Sequence, residues 1–402
     1  MNAITTPLPA ALPARRLGPT QALWLKAAIM VAFFAASTAP SPLYAVWREA
    51  WGFSALTLTV VFASYAFALL GALLVLGKLS DHRGRREIVL ISLGLEFVAV
   101  LAFWQADSVG WLIAARALQG VATGIASSAL SAGLIDLQRE RGSLVNSIAP
   151  LVGMAIGALG TGALVQFAPA PTRLVFELLL VVFAAQALAA AWLPETVERR
   201  AGALQSMKPT LALPARARPA LWRLLPANTA AWALGGFFTS LGPTLARSVT
   251  GRHEPMVGGA LVATLVLSGA LAILFVRGRD ARFALKAGAA ALALGVAIAL
   301  AGVEQHAAAV FFAGTAVAGL GFGSAFNGSL RSLVPLAEPH ERAGLMSTFL
   351  VVSYLAFSVP AIAAGLLAGH VGLQAASVTY GVLLVALGCL ALVMMARRKD
   401  AA

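Results

Sequence analysis

A chain of 402 residues in which 60% are hydrophobic and 11% charged, with a mean hydropathy of +0.86, is no ordinary soluble domain, since such domains carry about 25% charged residues. In water a net charge of +13 would point to a polynucleotide, whereas the basic loops of a membrane protein lie against anionic headgroups. Composition therefore places the chain in a lipid bilayer, with no nucleic-acid partner.

In chain order, residues 1–21 come first. They are rich in Pro and Ala, carry Arg15 and Arg16, lack a small-residue cleavage site after a short apolar core, and read as a cytoplasmic tail. A spanning helix needs ~20 mainly apolar residues. The apolar runs predict twelve of them, near 22–46, 55–77, 88–106, 109–132, 144–167, 173–193, 226–249, 256–277, 283–302, 307–334, 343–369 and 372–396. These runs are continuous and rich in Ala, Leu and Gly, which excludes the alternating strands of a membrane barrel. Residues 194–225 interrupt them with Pro, Arg and polar side chains at mid-chain, and 397–402 form a basic tail. The expected fold is all-α and polytopic: a six-helix bundle over 22–193, a cytoplasmic linker over 194–225, a second six-helix bundle over 226–396 and a cytoplasmic C-terminal tail. The single cysteine, Cys389, falls in the last helix and reads as packing.

With these boundaries about 23 of the 29 Lys and Arg lie in loops on the side of the N-terminus and about four in the opposite loops, so the positive-inside rule puts both termini in the cytoplasm. The halves also echo one another. Glu140-Arg141 before the fifth helix matches Glu341-Arg342 before the eleventh, and Gly77 matches Gly278 at the same offset. Together with six helices per half, this suggests a duplicated bundle.

The densest charge cluster is the loop from Gly77 to Arg86, Gly-Lys-Leu-Ser-Asp-His-Arg-Gly-Arg-Arg, pinned between the second and third helices. Its pattern Gly-x-Leu-x-Asp-x-x-Gly-Arg-Arg resembles the signature loop of the major facilitator superfamily of secondary transporters. That resemblance implies two bundles related by an axis along the membrane normal, with substrate bound near midplane between them. It also implies that the loop latches the halves on the cytoplasmic side when the cavity opens outward. The latch residues would be Gly77, Asp81, Arg83, Gly84, Arg85 and Arg86. Asp81 would face the N-terminus of helix 11 near Arg342, and Arg83 or Arg85 would pair with Asp136 at the end of helix 4. In physical terms, Gly77 lets one helix approach another closely, and Asp81 supplies a carboxylate that a helix N-terminus or an arginine can hold. The other reading of the loop charges is a solvated topology signal.

In the fourth helix, Arg116-Ala117-Leu118-Gln119-Gly120 resembles the family's Arg-x-x-Gln-Gly segment. An arginine in mid-helix costs about 2.5 to 3.5 kcal/mol on insertion scales, so it needs a wet cavity or a partner. The resemblance implies proton coupling by Arg116. Glu96 is the central carboxylate of the neighbouring antiparallel helix, and a structural ion pair between the two is the alternative. Pro40 and Pro42 in the first helix free backbone carbonyls, which predicts a kink beside the substrate path, and they resemble a Pro-x-Pro element of family exporters. Helix 5 has Gly153, Gly157, Gly160 and Gly162, but Ala158 stands where drug and proton antiporters carry proline. Export is favoured on that half-met motif. Leu193-Pro194-Glu195-Thr196 at the end of helix 6 also recurs in the family.

By family architecture, helices 1, 4, 7 and 10 should line the cavity. The candidates are Phe34, Thr38 and Ser41; Thr123 and Ser127; Trp232, Thr239 and Ser240; and Phe322, Ser324 and Asn327, with Tyr65 and Tyr354 at the sides. Aromatic, hydroxyl and small residues suit a lipophilic or amphipathic solute. No nucleotide loop, metal-ligand set or nucleophile with an adjacent base is present in the sequence. The expectation is therefore a transporter and not an enzyme, without cofactor, driven by the proton gradient. It would export small organic molecules as a monomer in the bacterial inner membrane, its partners being substrate, protons and bilayer. Proton-linked uptake of a metabolite, or a sensor or assembly factor that does not transport, are the alternatives.

Overall fold

The computed structural model describes residues 16–252, 254–338 and 340–396, and among these every regular element is helical. A bilayer offers no water to backbone N–H and C=O groups, and the helix satisfies them within one segment. The first half runs α1 (Pro19–Thr38), α2 (Pro40–Trp51), α3 (Ala55–Leu76), α4 (Leu79–Arg83), α5 (Arg85–Trp104), α6 (Val109–Leu137), α7 (Arg139–Phe167) and α8 (Leu174–Ala190). The short α9 (Ala203–Ser206) lies in the connection between halves. The second half runs α10 (Arg218–Ser240), α11 (Gly242–Thr250), α12 (Pro255–Val276), α13 (Ala281–Glu304), α14 (Ala308–Leu333), α15 (Arg342–Val371) and α16 (Leu373–Ala396). Among the described residues, ten spans are long and apolar enough to cross a membrane. The apolar α8 and the pair α10–α11 complete twelve passages in two six-helix bundles.

Within the first bundle α6 packs on α1, α3, α5 and α7; within the second, α14 packs on α10, α12 and α13. The halves meet along two seams, α7 against α12 and α3 against α15. Lipid tails are as apolar as leucine, so helices associate in a membrane through close contact of small residues. The pair α13–α14 shows this best. Gly288, Gly295 and Gly302 lie seven residues apart on α13, as do Gly314, Gly321 and Gly328 on α14. A side chain at any of the six would run into the facing backbone.

Several boundaries differ from the sequence expectation. α5 starts at Arg85, not 88, because the carboxylate of Glu195 accepts from the backbone N–H of Arg85 (2.7 Å) and Arg86 (3.1 Å) and so caps an extra turn. α10 starts at Arg218, so the last eight residues assigned to the linker are helical, with Pro219 at the helix start. The seventh passage breaks at Leu241, since Pro243 has no N–H to continue the ladder. In the first passage the break falls at Ala39, whose dihedrals stay helical (φ −52°, ψ −39°), before Pro40. Cys389 is exposed on α16 and is not a packing residue, because it lies on the face turned away from the bundle. The tails lie outside the described residues except for 16–21.

Candidate functional site

Three constellations lie along the first bundle and the seam. The outermost gathers at the basic face, where α3 ends and α5 begins. Gly77 caps α3, and a Cβ there would meet Ser128 Oγ of α6 at 3.2 Å. Asp81 forms an ion pair with Arg85 one turn on. Arg85 Nε donates to Asp136 at 3.2 Å and its Nη1 to Ser80 Oγ at 2.6 Å. Of the two arginines offered to Asp136, then, Arg85 reaches it, while Arg83 turns to Glu87. Gly84 has φ +106°, and a Cβ on it would lie 2.5 Å from Glu195 Oε2. Arg86 Nη1 lies 3.5 Å from the carbonyl of Ala191. Thr196 adds a bond from its hydroxyl to Asp136 at 2.9 Å.

This knot joins the first half to the start of the connection and does not reach the second half. Asp81 is not joined to Arg342, whose Nε donates instead to the carbonyl of Ala337. Among the described residues no hydrogen bond or ion pair joins α4 to α15. What crosses between halves on this face is the connection itself. Arg200 N donates to His82 O and Lys78 Nζ to Thr210 Oγ1 (2.8 Å), and beyond them Thr348 Oγ1 donates to Ala212 O (3.1 Å). Arg216 pairs with Glu338, and its guanidinium holds that carboxyl below the usual range.

The opposite face is closed by direct contact. Glu49 at the end of α2 pairs with Arg247 of α11 at 2.6 Å, and Gly365 of α15 admits Thr59 of α3. The halves therefore touch on one face and are strapped, without touching through α4, on the other.

The second constellation is buried. Arg116 and Glu96 are 1% and 0% exposed, and they do not form a direct ion pair. Gln119, one turn from Arg116 on α6, stands between them: Arg116 Nη1 donates to Gln119 Oε1 (2.7 Å) and Gln119 Nε2 donates to Glu96 Oε1 (3.0 Å). The same Nη1 donates to the carbonyl of Ser37 (2.8 Å), beside the proline break in α1. The guanidinium also lies 4.4 Å from the centre of the Tyr65 ring and 5.6 Å from that of Phe62. Arg116 Nε and Glu96 Oε2 are left without partners.

The third constellation faces it across the seam. Trp232 of α10 has Tyr354 at 4.9 Å, Phe326 at 5.7 Å and Phe357 at 6.0 Å between ring centres. Tyr65, Tyr354 and Phe357 belong to one cluster that bridges the halves. Trp232, Asn327, Tyr354, Phe34, Phe322 and Ser127 are half-buried. Other candidates serve the helices. Thr38 Oγ1 donates to Met154 O of α7 (2.8 Å), and Thr239 and Ser240 donate to Gly235 O and Gly236 O of their own helix (both 2.6 Å). Ser41, Thr123 and Ser324 are buried.

Sequence reasoning missed the roles of Gln119, Glu195, Ser80 and Asn228. Gln119 and Glu195 sit inside segments singled out for other residues. A further miss is Lys26 on α1, 1% exposed, whose ammonium nests against Gly133 of α6 with no hydrogen-bond partner. Its only signal is a lysine inside an apolar run. Among the described residues no group of three His, Cys, Asp or Glu gathers to hold a metal.

A family model described as Major Facilitator Superfamily matches residues 27–285. An uncharacterized MFS-type transporter of Mycobacterium tuberculosis is 37% identical over 109 residues, a stretch that covers 26% of this chain and 17% of that protein. Among solved structures, a bacterial homolog of the human lysosomal transporter Spinster, in an inward-facing and unoccupied conformation, aligns with a TM-score of 0.77 at 14% identity, covering 94% of this chain and 97% of that one. A human organic anion transporter aligns at 0.66 with 18% identity (94% and 100%), and a nucleoside transporter at 0.71 with 14% identity (93% and 99%). At such identities these structures share the fold.

Proposed function

The chain belongs to the Major Facilitator Superfamily, and from that premise we propose that it is a proton-coupled exporter of small lipophilic or amphipathic organic molecules. A multi-pass membrane transporter rather than an enzyme, it moves a small substrate across a bilayer. On our reading the basic face is cytoplasmic, both termini lie there, the membrane is the bacterial inner membrane, the monomer is the working unit and no cofactor takes part.

One observation carries the coupling: the buried chain from Glu96 through Gln119 and Arg116 to the carbonyl of Ser37. A carboxyl group with one oxygen unpartnered in the membrane interior exchanges its proton at high cost unless something compensates the charge, and here Gln119 links it to a cation. Protonating Glu96 removes the anion at one end of that chain. Arg116 at the other end holds the proline break of α1 and lies under Tyr65 at the seam, so the proton state of Glu96 acts on helices that border the substrate path.

The ion pair Glu49–Arg247 supports alternating access. It seals the face opposite the basic one, while Asp81 and Arg342 stand apart on the basic face. We read this state as open to the cytoplasm, with the Asp81 clasp forming when the molecule opens the other way.

The test is the purified chain in proteoliposomes. An imposed pH gradient should drive labelled substrate in the parent, and Glu96→Gln should abolish gradient-driven movement while retaining substrate exchange at equal pH. Gradient-driven flux at parental rate in Glu96→Gln refutes coupling through this carboxylate.

A further inference from the structure

Resting on the transport reading, we propose that the cage around Trp232 is a built subsite for an uncharged, planar aromatic solute that carries an N–H or O–H donor beside a hydrogen-bond acceptor, as lactams and phenolic amides do. The observation is a set of buried polar atoms with nothing to bond. The indole N–H of Trp232 is buried without an acceptor, although three aromatic rings surround it. One turn earlier on α10, Asn228 Nδ2 donates to Ser353 Oγ at 2.9 Å. Ser353 gives its own hydrogen to Phe349 O (2.8 Å), so it can only accept from Asn228, and the orientation of the amide is settled. Asn228 Oδ1 is thereby turned to a place where it finds no donor, and Asn327 Oδ1, next to Phe326, is also buried and unpaired. Native interiors leave few such atoms. Trp232 Nε1 and Asn228 Oδ1 lie one turn apart on α10, and Asn327 follows Phe326, a ring of the cage, on α14.

The charge distribution selects a neutral solute. The charged or titratable side chains of α10, α14 and α15 are Arg218, Arg223, Arg331, Arg342, Tyr354 and His370. Apart from Tyr354, a ring of the cage, all lie toward helix ends, and Arg331 donates to the carbonyls of Val276 and Arg279. Across the seam, Tyr65 packs with Tyr354 and Phe357 and covers Arg116 with its other side. An anion in the cage would meet no direct counter-ion. A cation would find aromatic faces but no carboxylate, with a guanidinium behind Tyr65. A ring with a donor–acceptor edge stacks among Trp232, Phe326 and Phe357, gives its hydrogen to an asparagine oxygen and accepts from the indole. Sites that hydrogen-bond a solute reject the analogue lacking that group far more strongly than apolar pockets reject a methyl.

The experiment uses the purified full chain in nanodiscs and four bicyclic probes measured by calorimetry: 2-quinolinone, 1-methyl-2-quinolinone, N-methylquinolinium and quinoline-2-carboxylate. We expect 2-quinolinone to bind about tenfold or more tightly than each of the others. Asn327→Leu should cost about tenfold for 2-quinolinone while leaving the 1-methyl compound within about twofold, and Trp232→Phe, which removes the donor to the carbonyl that both compounds carry, should weaken both. Equal or tighter binding of the cation or the carboxylate, parental affinity in both variants, or no binding of any probe overturns the assignment. Flux of the same probes in proteoliposomes separates the two readings. Selective binding of 2-quinolinone without gradient-driven movement supports the subsite and refutes transport, whereas movement of all four at one rate supports transport and refutes the subsite.

Discussion

Gly84 is the residue on which the basic-face knot turns. Its φ of +106° is open to glycine and strained for any other residue, and the space its Cβ would occupy belongs to the Glu195 carboxylate that caps α5. Gly84→Ala therefore combines backbone strain with loss of a cap. We expect it to destabilise by about 2 to 4 kcal/mol, each term contributing roughly 1 to 2, and to lower the melting temperature of the purified protein; melting at the parental temperature refutes this. Lys26 shows the same economy of space in reverse: Gly133 leaves room for an ammonium that makes no hydrogen bond. How much of this was legible depended on sequence distance. Asp81, Arg85 and Asp136 stood out through the spacing of the loop and a carboxylate at a helix end. The partner that caps α5 lies 110 residues from Arg85, and nothing in the order of residues announces it.

At the scale of elements, the α13–α14 pair is held by glycines seven residues apart on each helix. A seven-residue repeat keeps one stripe facing the partner over a long, left-handed crossing, and small side chains let the backbones touch. Gly321 faces the backbone and side chain of Leu292, so Gly321→Val must push the helices apart. Overpacking of this kind costs about 1 to 3 kcal/mol, which denaturation of the purified protein in mixed micelles would read as a lowered midpoint; an unchanged midpoint refutes it. By contrast the first passage, α1 followed by α2, is built to break. Pro40 and Pro42 remove two ladder donors, and Arg116 takes the nearby Ser37 carbonyl. The close packing of α13 on α14 follows from glycine, and the breaks at Ala39 and Leu241 follow from proline chemistry.

For the whole molecule, the asymmetry between faces is the central feature. Glu49 and Arg247 close one face by a direct ion pair, and on the other the connection straps the halves together through Lys78–Thr210 and Thr348–Ala212. Once Cys389 is replaced by Ser, the paired substitutions Glu49→Cys and Arg247→Cys, joined by a short bifunctional thiosulfonate, should hold that face shut. We expect gradient-driven flux to fall at least tenfold and to recover when the link is reduced, a fold-change equivalent to about 1.4 kcal/mol in the opening equilibrium. Full flux in the cross-linked protein would show that this face does not need to part.

The sequence by itself determined that the chain spans a bilayer as two helical bundles, because hydropathy, loop charge and proline or glycine placement act residue by residue and need no knowledge of neighbours. It also pointed to Arg116 and Glu96 as unusual, because a charge inside an apolar run is visible in one dimension. Only the tertiary structure decided that Gln119 stands between them, that Asp81 turns to Arg85 in this conformation, and that Trp232, Asn228 and Asn327 hold unpaired polar atoms. Pairing of buried polar groups depends on where helices cross, and crossings are set by packing among segments far apart along the chain.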